Sequence, residues 1–167
     1  MLKQIFSVRC IIIKQKHFLK VVINMIIVTG ATGHIGNVLV RELLNRGEKV
    51  RVLIPDFEDT CPLKNLDIEI VKGDVRDVNS LINAFNGAEY VYHLAGIISI
   101  GSGMAEKIHE VNVIGTKNVI EACIINKVKR MVYVSSIHAF TEPPHGIPIL
   151  ETKDFDPSKV VGHYDKS

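Results

Sequence analysis

The sequence has few cysteines, and they lie far apart. Its 167 residues include three, Cys10, Cys61 and Cys123. Their spacing matches no metal-binding or redox motif, and an odd number cannot pair completely within one chain. We therefore expect buried or inert thiols, no bound metal, and a reducing compartment such as the cytoplasm.

A strong net charge and a membrane-spanning run near the start are also missing. The net charge of +2 gives no reason to expect a nucleic-acid partner. Residues 1–24 contain five basic residues and no acid, whereas residues 25–167 have 15 basic and 18 acidic residues, a net charge of −3. In residues 1–24, lysines interrupt apolar runs that are much shorter than the ~20 residues of a spanning helix. They are interpreted as an extension that precedes the domain, with a basic membrane-surface segment as the alternative.

The rest of the chain alternates between short apolar runs and helical patterns. The apolar runs predict strands at 25–29, 50–54, 68–71, 90–94 and 131–134, and the helical spacing predicts helices at 34–46, 78–85 and 104–126. Strands that are apolar throughout are typical of a parallel sheet covered on both faces. The sequence therefore predicts an α/β fold with a doubly wound (Rossmann) parallel sheet. Residues 141–157, which are rich in proline and acid, predict an irregular surface loop.

Glycines cluster where the first strand would turn into the first helix, over Thr29–Gly36. Gly30 would permit the sharp turn, Gly33 would let the backbone approach a phosphate closely, and Gly36 would allow tight packing of the helix. The helix would then present free N–H groups to an anion. This pattern predicts a dinucleotide pyrophosphate site formed by Gly30, Thr32, Gly33, His34, Ile35 and Gly36.

Six segments, in order, resemble motifs of the extended short-chain dehydrogenases/reductases. Thr29–Gly36 matches their TGxxGxxG turn. Five further segments follow: Gly73–Asp77 (GDVRD), His93–Gly96 (HLAG), Asn112–Thr116 (NVIGT), Val134-Ser135-Ser136 and Tyr164–Ser167 (YDKS). The resemblance covers residues 25–167 and implies an NAD- or NADP-binding domain. It implies that Asp74 contacts the adenine, and that the cofactor is lined by Val75, Leu94, Ala95, Gly96 and Asn112.

The resemblance also implies the chemistry. Tyr164 would be the general acid/base and Ser136 its partner, with Ser135 as the competing serine and His138 as a neighbour of the substrate. The family's lysine comes four residues after the tyrosine, at a position beyond Ser167. We therefore expect an N-terminal fragment with little or no activity of its own, whose full-length parent binds a small-molecule substrate and forms a homodimer.

The end of the second strand normally selects the nicotinamide cofactor. The acid and the arginine that make this choice are replaced by Ile54 and Pro55, and Asp56 follows. Asp56 favours NAD over NADP. The leading hypothesis is a reductase or dehydrogenase acting on a carbonyl or secondary alcohol, with resemblance to dihydroflavonol-reductase-like members. The alternatives are a nucleotide-sugar epimerase or dehydratase and a non-catalytic dinucleotide sensor.

Overall fold

The computed structural model describes residues 25–99, 104–140, 145–148, 158 and 162–167. Five strands, β1 to β5, span Met25–Thr29, Lys49–Ile54, Glu69–Lys72, Ala88–His93 and Arg130–Tyr133. The helices are α1 (His34–Asn45), α2 (Val78–Ala84), α3 (Ala105–Ile108) and α4 (Gly115–Ile125), with short 3₁₀ turns at Cys61–Leu63 and Ile137–Ala139. The expectations for residues 1–24, and for most of the loop 141–157, fall outside the described residues.

All strand pairs are parallel, and the strand order is β3-β2-β1-β4-β5. Successive residues of β1 face opposite sides of the sheet. Ile26 and Val28 pack with α1, and Ile27 packs with the helices on the other face. Two apolar layers therefore cover the middle of the sheet, as a doubly wound fold requires. The predicted fold class is confirmed.

The helix ends follow from local sequence chemistry. Gly47, with φ of +76°, donates its N–H to Leu44, and the N–H of Glu48 donates to Leu43, which together end α1. This pair of bonds is the Schellman arrangement, which favours glycine at the left-handed position. At the start of α2, the Asp77 carboxylate accepts a hydrogen bond from the N–H of Asn79 (3.0 Å). Both helix boundaries lie within one residue of their predicted places.

The predicted continuous helix over 104–126 is wrong in one respect. A π-helical segment at His109–Ile114 separates α3 from α4. Where this segment ends, a side chain at Gly115 would meet Val75 Cγ2 at 2.8 Å. The close approach of α4 to the loop after β3 therefore depends on glycine. Asn112, within the π segment, is buried. Periodicity alone does not reveal such a local insertion.

Two further expectations need correction. The sheet is covered on both faces at β1, β2 and β4, but Ile70 of β3 and Val132 of β5 are more than two-fifths exposed, because both strands lie at the sheet edges. The apolar spacing that predicts a helix at 34–46 includes Ile35, but Ile35 lies in the first turn of α1 and is 59% exposed. No helix among the described residues combines the length and the apolar character that a membrane span requires.

Candidate dinucleotide-binding and catalytic site

The turn between β1 and α1 is packed so closely that only glycine fits at two positions. Gly30 has φ of +70°, and a Cβ there would lie 2.6 Å from the backbone nitrogen of Ala95. A Cβ on Gly36 would lie 2.1 Å from the carbonyl oxygen of Gly30. Gly36 therefore brings α1 against the turn itself, rather than against the strand as the sequence analysis expected. The result is a rigid bend at the carboxyl edge of the sheet.

Among the described residues, no side chain caps the first amides of α1. Gly33 is the N-cap residue and has no side chain to accept from them, and the first turn contains no acid. The amides of the following residues, His34 and Ile35, start the helix at an exposed surface. Uncapped amides at the positive end of a helix dipole attract an anion. This cradle fits a dinucleotide pyrophosphate, and a side chain at Gly30 or Gly36 would disrupt it.

A buried polar network that the sequence analysis missed supports the turn. Thr29 Oγ1 and His93 Nδ1 lie 2.7 Å apart, and His93 Nε2 lies 3.1 Å from the hydroxyl of Thr116. The N–H of Ala95 also donates to Thr29 Oγ1 (3.2 Å). Burial lowers the pKa of His93 to about 4, so the imidazole is neutral. The sequence contains one signal of this network: two apolar strands end in polar residues, Thr29 and His93.

The loop after β4 forms the wall that faces the glycine turn. Leu94, Ala95 and Gly96 lie there, and the N–H of Leu94 donates to the carbonyl of Thr29 (3.2 Å). Asn112 holds the loop from the helix side. Its Oδ1 accepts from the N–H of Ile97 (2.8 Å), and its Nδ2 donates to the carbonyl of Ile97 (3.0 Å). The structure thus gives Asn112 a positioning role in the wall, with its amide group already hydrogen-bonded.

Asp74 lies in the loop after β3. Its carboxylate accepts hydrogen bonds from the backbone N–H (2.9 Å) and from the guanidinium of Arg76, and the guanidinium contact lowers the pKa of Asp74. Arg76 also approaches Glu110 of the π segment (3.6 Å). The three residues line an open depression of about 440 Å³ together with Ile114. The side chain of Val75, by contrast, is buried in the core.

The two predicted catalytic residues contact one common neighbour, His138. Ser136 caps the 3₁₀ turn after β5, and its hydroxyl accepts from the N–H of His138 (3.2 Å). The His138 ring lies edge-on to the ring of Tyr164, with 6.0 Å between centroids, and its Nδ1 is 3.6 Å from the Asp165 carboxylate. The structure therefore brings Ser136 and Tyr164 to one corner of the site, although 28 positions separate them in the sequence. Ser135 is exposed beside them.

The Tyr164 segment forms a helical turn. The Asp165 carboxylate accepts from the N–H of Gly162 (3.0 Å), and the N–H of Lys166 donates to the carbonyl of Gly162 (3.1 Å). The bond from Gly162 to Asp165 corresponds to one half of a capping box, in which the side chain three residues into a helix accepts from the N–H of the N-cap residue. Asn112 Nδ2 also donates to the hydroxyl of Ser167 (2.9 Å), which ties the turn to the π segment. One asparagine thus contacts both the cofactor wall and the catalytic segment.

The loop after β2 places an acid that the sequence analysis did not consider. Asp56 is exposed, and Ile54 is buried in the core. Two residues beyond Asp56, the carboxylate of Glu58 accepts a hydrogen bond from Thr32 of the glycine turn. Burial raises the pKa of Glu58, and the charge of Lys72 acts in the opposite direction. The contact was not readable from the sequence, because it depends on how the loop folds back.

Comparison with known proteins agrees with this geometry. The family model described as the 3-beta hydroxysteroid dehydrogenase/isomerase family matches residues 27–166. Sterol demethylase protein B of Methylococcus capsulatus is 38% identical over 83% of this chain and 45% of its own length. A putative dihydroflavonol 4-reductase of Synechocystis is 33% identical over 84% of this chain and 40% of its own length.

A solved structure is similar as well. A short-chain dehydrogenase/reductase superfamily protein from Agrobacterium tumefaciens with bound NAD has a TM-score of 0.71 and 27% identity, over 85% of this chain and 41% of its own. The chain thus spans less than half the length of these relatives. The resemblance to extended short-chain dehydrogenases/reductases is confirmed. The chain belongs to the 3-beta hydroxysteroid dehydrogenase/isomerase family within that group.

Proposed function

We propose that the protein is an NAD- or NADP-dependent oxidoreductase that interconverts a carbonyl group and a secondary alcohol. The observation that carries the proposal is the uncapped start of α1, set against a turn in which Gly30 and Gly36 leave no room for a side chain. Such a start binds a pyrophosphate through backbone amides. The amides of His34 and Ile35 would hold the phosphates, since the N–H of Gly33 already donates to the carbonyl of Gly30 (3.2 Å), and the wall at Leu94–Gly96 would border the rest of the dinucleotide.

The chemistry follows from the corner formed by Ser136 and Tyr164. The bound nicotinamide supplies or accepts the hydride. The Tyr164 phenol gives the substrate oxygen a proton during reduction, or takes one during oxidation. The Ser136 hydroxyl hydrogen-bonds the same oxygen and orients it. His138 is placed to hold both residues, because its backbone contacts Ser136 and its ring contacts Tyr164.

The relatives supply the substrate classes to be tested. Sterol demethylase protein B and the dihydroflavonol reductase point to hydrophobic ketones and secondary alcohols. The presence of both Ser136 and Tyr164 argues against a sensor without catalysis. We further propose a cytoplasmic location, supported by the free thiols of Cys61 and Cys123, and homodimer formation through the helix that carries Tyr164.

The binding step is tested by titrating the chain with NADH and NADPH while nicotinamide fluorescence is recorded. Gly33→Asp is the informative variant. Gly33 has an extended backbone (φ −68°, ψ 167°), so aspartate fits there and caps the amides. Its charge would also repel phosphate. We expect wild type to bind at least one nucleotide, and Gly33→Asp to bind at least about tenfold more weakly while melting no lower than Gly33→Ala.

Absence of binding by the folded wild-type chain to either nucleotide would refute the proposed function. Substrate profiling then separates the chemistries. Ketones and secondary alcohols, sterols among them, are compared with nucleotide sugars in reactions followed through NADH absorbance. Turnover of nucleotide sugars alone would favour an epimerase or dehydratase instead.

A further inference from the structure

The cofactor-selecting position at the end of β2 is not filled in the usual way. In folds of this kind, an acid there accepts a hydrogen bond from the ribose 2′-hydroxyl of NAD, or an arginine pairs with the 2′-phosphate of NADP. Here the first position is Ile54, which is 1% exposed and packed in the core. The next is Pro55, which has neither a charge nor an N–H. Selection between the cofactors would then depend on neighbouring residues, of which those further along this loop are the first candidates.

The loop folds back after Pro55. The N–H of Glu58 donates to the carbonyl of Pro55 (3.1 Å), which closes a turn of four residues. Asp56, in the middle of this turn, is exposed. Glu58, at its end, is directed at the glycine turn, where its Oε1 accepts from the hydroxyl of Thr32. The loop thus brings one of its acids, Glu58, into contact with the turn that would hold the pyrophosphate.

We propose that Glu58, rather than Asp56, binds the adenosine ribose of the cofactor and makes the protein prefer NAD to NADP. This inference rests on the proposed dinucleotide-binding function and specifies it further. A carboxylate has two oxygens and about four acceptor positions, so the bond to Thr32, made by Oε1, leaves Oε2 available among the described residues for a ribose hydroxyl. A 2′-phosphate at the same place would bring its negative charge close to the carboxylate of Glu58. Since both groups are hydrogen-bond acceptors, they would repel each other.

The surroundings of Glu58 support a binding role over that of a solvated loop acid. The side chain is partly withdrawn from water, and this burial raises its pKa. Lys72, at the end of β3, offsets part of the cost through its charge, and its ammonium approaches the carbonyl of Pro55 (3.4 Å). Lys72 is also the nearby cation that could pair with a 2′-phosphate, which makes NADP preference the competing outcome.

The test compares Glu58→Gln with Asp56→Asn in the same chain. Both substitutions remove one negative charge from the same loop and keep the side-chain shape. Dissociation constants for NADH and NADPH are measured by fluorescence titration, and melting temperatures confirm that both variants are folded. We expect wild type to bind NADH more tightly. We expect Glu58→Gln to lower the ratio of the NADPH to the NADH dissociation constant by about tenfold, and Asp56→Asn to change it by less than about twofold.

The outcomes separate the two proposals. If wild type binds neither nucleotide, the proposed function fails. If it binds NADH but the ratio responds to Asp56→Asn and not to Glu58→Gln, the function stands and the assignment of Glu58 is wrong. A wild-type preference for NADPH that Lys72→Ala abolishes would also overturn the assignment. Glu58→Ala provides a second variant with the same expected direction if Glu58→Gln proves unstable.

Discussion

The glycine turn and the proposed catalytic corner are built differently. The turn at Thr29–Gly36 is fixed by backbone packing and by the buried Thr29–His93 pair, so its shape depends on the core of the fold. The corner around Ser136 and Tyr164 is held by exposed or half-buried contacts that center on His138. We therefore expect the glycine turn to contribute to the stability of the domain, and the side chains of Ser136 and Tyr164 to contribute little.

The largest effect is expected at Gly36. In Gly36→Ala, the added methyl would lie 2.1 Å from the Gly30 carbonyl oxygen, so α1 or the turn must move. We expect the free energy of unfolding to fall by about 3 kcal/mol, together with the loss of nucleotide binding. Urea denaturation followed by circular dichroism measures the loss. At Gly33 the nearest atom is 3.3 Å away, so Gly33→Ala is the matched control and should cost less than about 1 kcal/mol.

The next largest expected effect is a pH dependence of the free energy of unfolding, which arises from His93. Its pKa is lowered to about 4 by burial, below the unfolded value of ~6.5. The unfolded chain therefore binds a proton more readily, and the stability present above about pH 6.5 decreases as the pH falls towards 4. We expect a loss of about 2 kcal/mol between pH 7 and pH 5 from this group.

Urea denaturation at several pH values measures this slope. His93→Gln should remove most of it, whereas His138→Gln, in the exposed catalytic corner, should leave it unchanged. An unchanged slope in His93→Gln would mean that the buried histidine does not control the acid sensitivity of the turn.

An intermediate effect is expected at Asn112, which joins the two regions. Asn112→Ala would leave the N–H and the carbonyl of Ile97 without their side-chain partner and would release Ser167. We expect a loss of about 1.5 kcal/mol in the free energy of unfolding. Asn118→Ala, which removes a single bond to Val75, should cost less. Equal costs would indicate that Asn112 does not hold the wall in place.

The smallest effect on stability is expected at the catalytic corner itself. Ser136→Ala and Tyr164→Phe each remove one hydroxyl from a side chain that is not deeply buried. Both should change the free energy of unfolding by less than about 0.5 kcal/mol, while hydride transfer by the active enzyme falls by at least about a hundredfold. If either variant lost more than about 2 kcal/mol of its free energy of unfolding, the corner would contribute to stability as the glycine turn does, and the comparison would fail.

The sequence by itself determined the order of the elements and the type of sheet. Apolar strands of four to six residues, alternating with helical spacing, specify a parallel sheet because the β–α–β connection leaves little alternative. Glycine spacing predicted the tight turn between β1 and α1, since glycine conformation is a local property. The same local chemistry set the end of α1 at Gly47 and the start of α2 at Asp77.

Only the tertiary structure decided which side chains meet across the fold. The pairs Thr32–Glu58 and Thr29–His93, and the clamp that Asn112 places on Ile97, join residues 15 to 64 positions apart. The π segment that contains Asn112 leaves no trace in the apolar periodicity. Such contacts depend on loop paths and on sub-ångström packing, which are set by the whole core rather than by neighbouring residues.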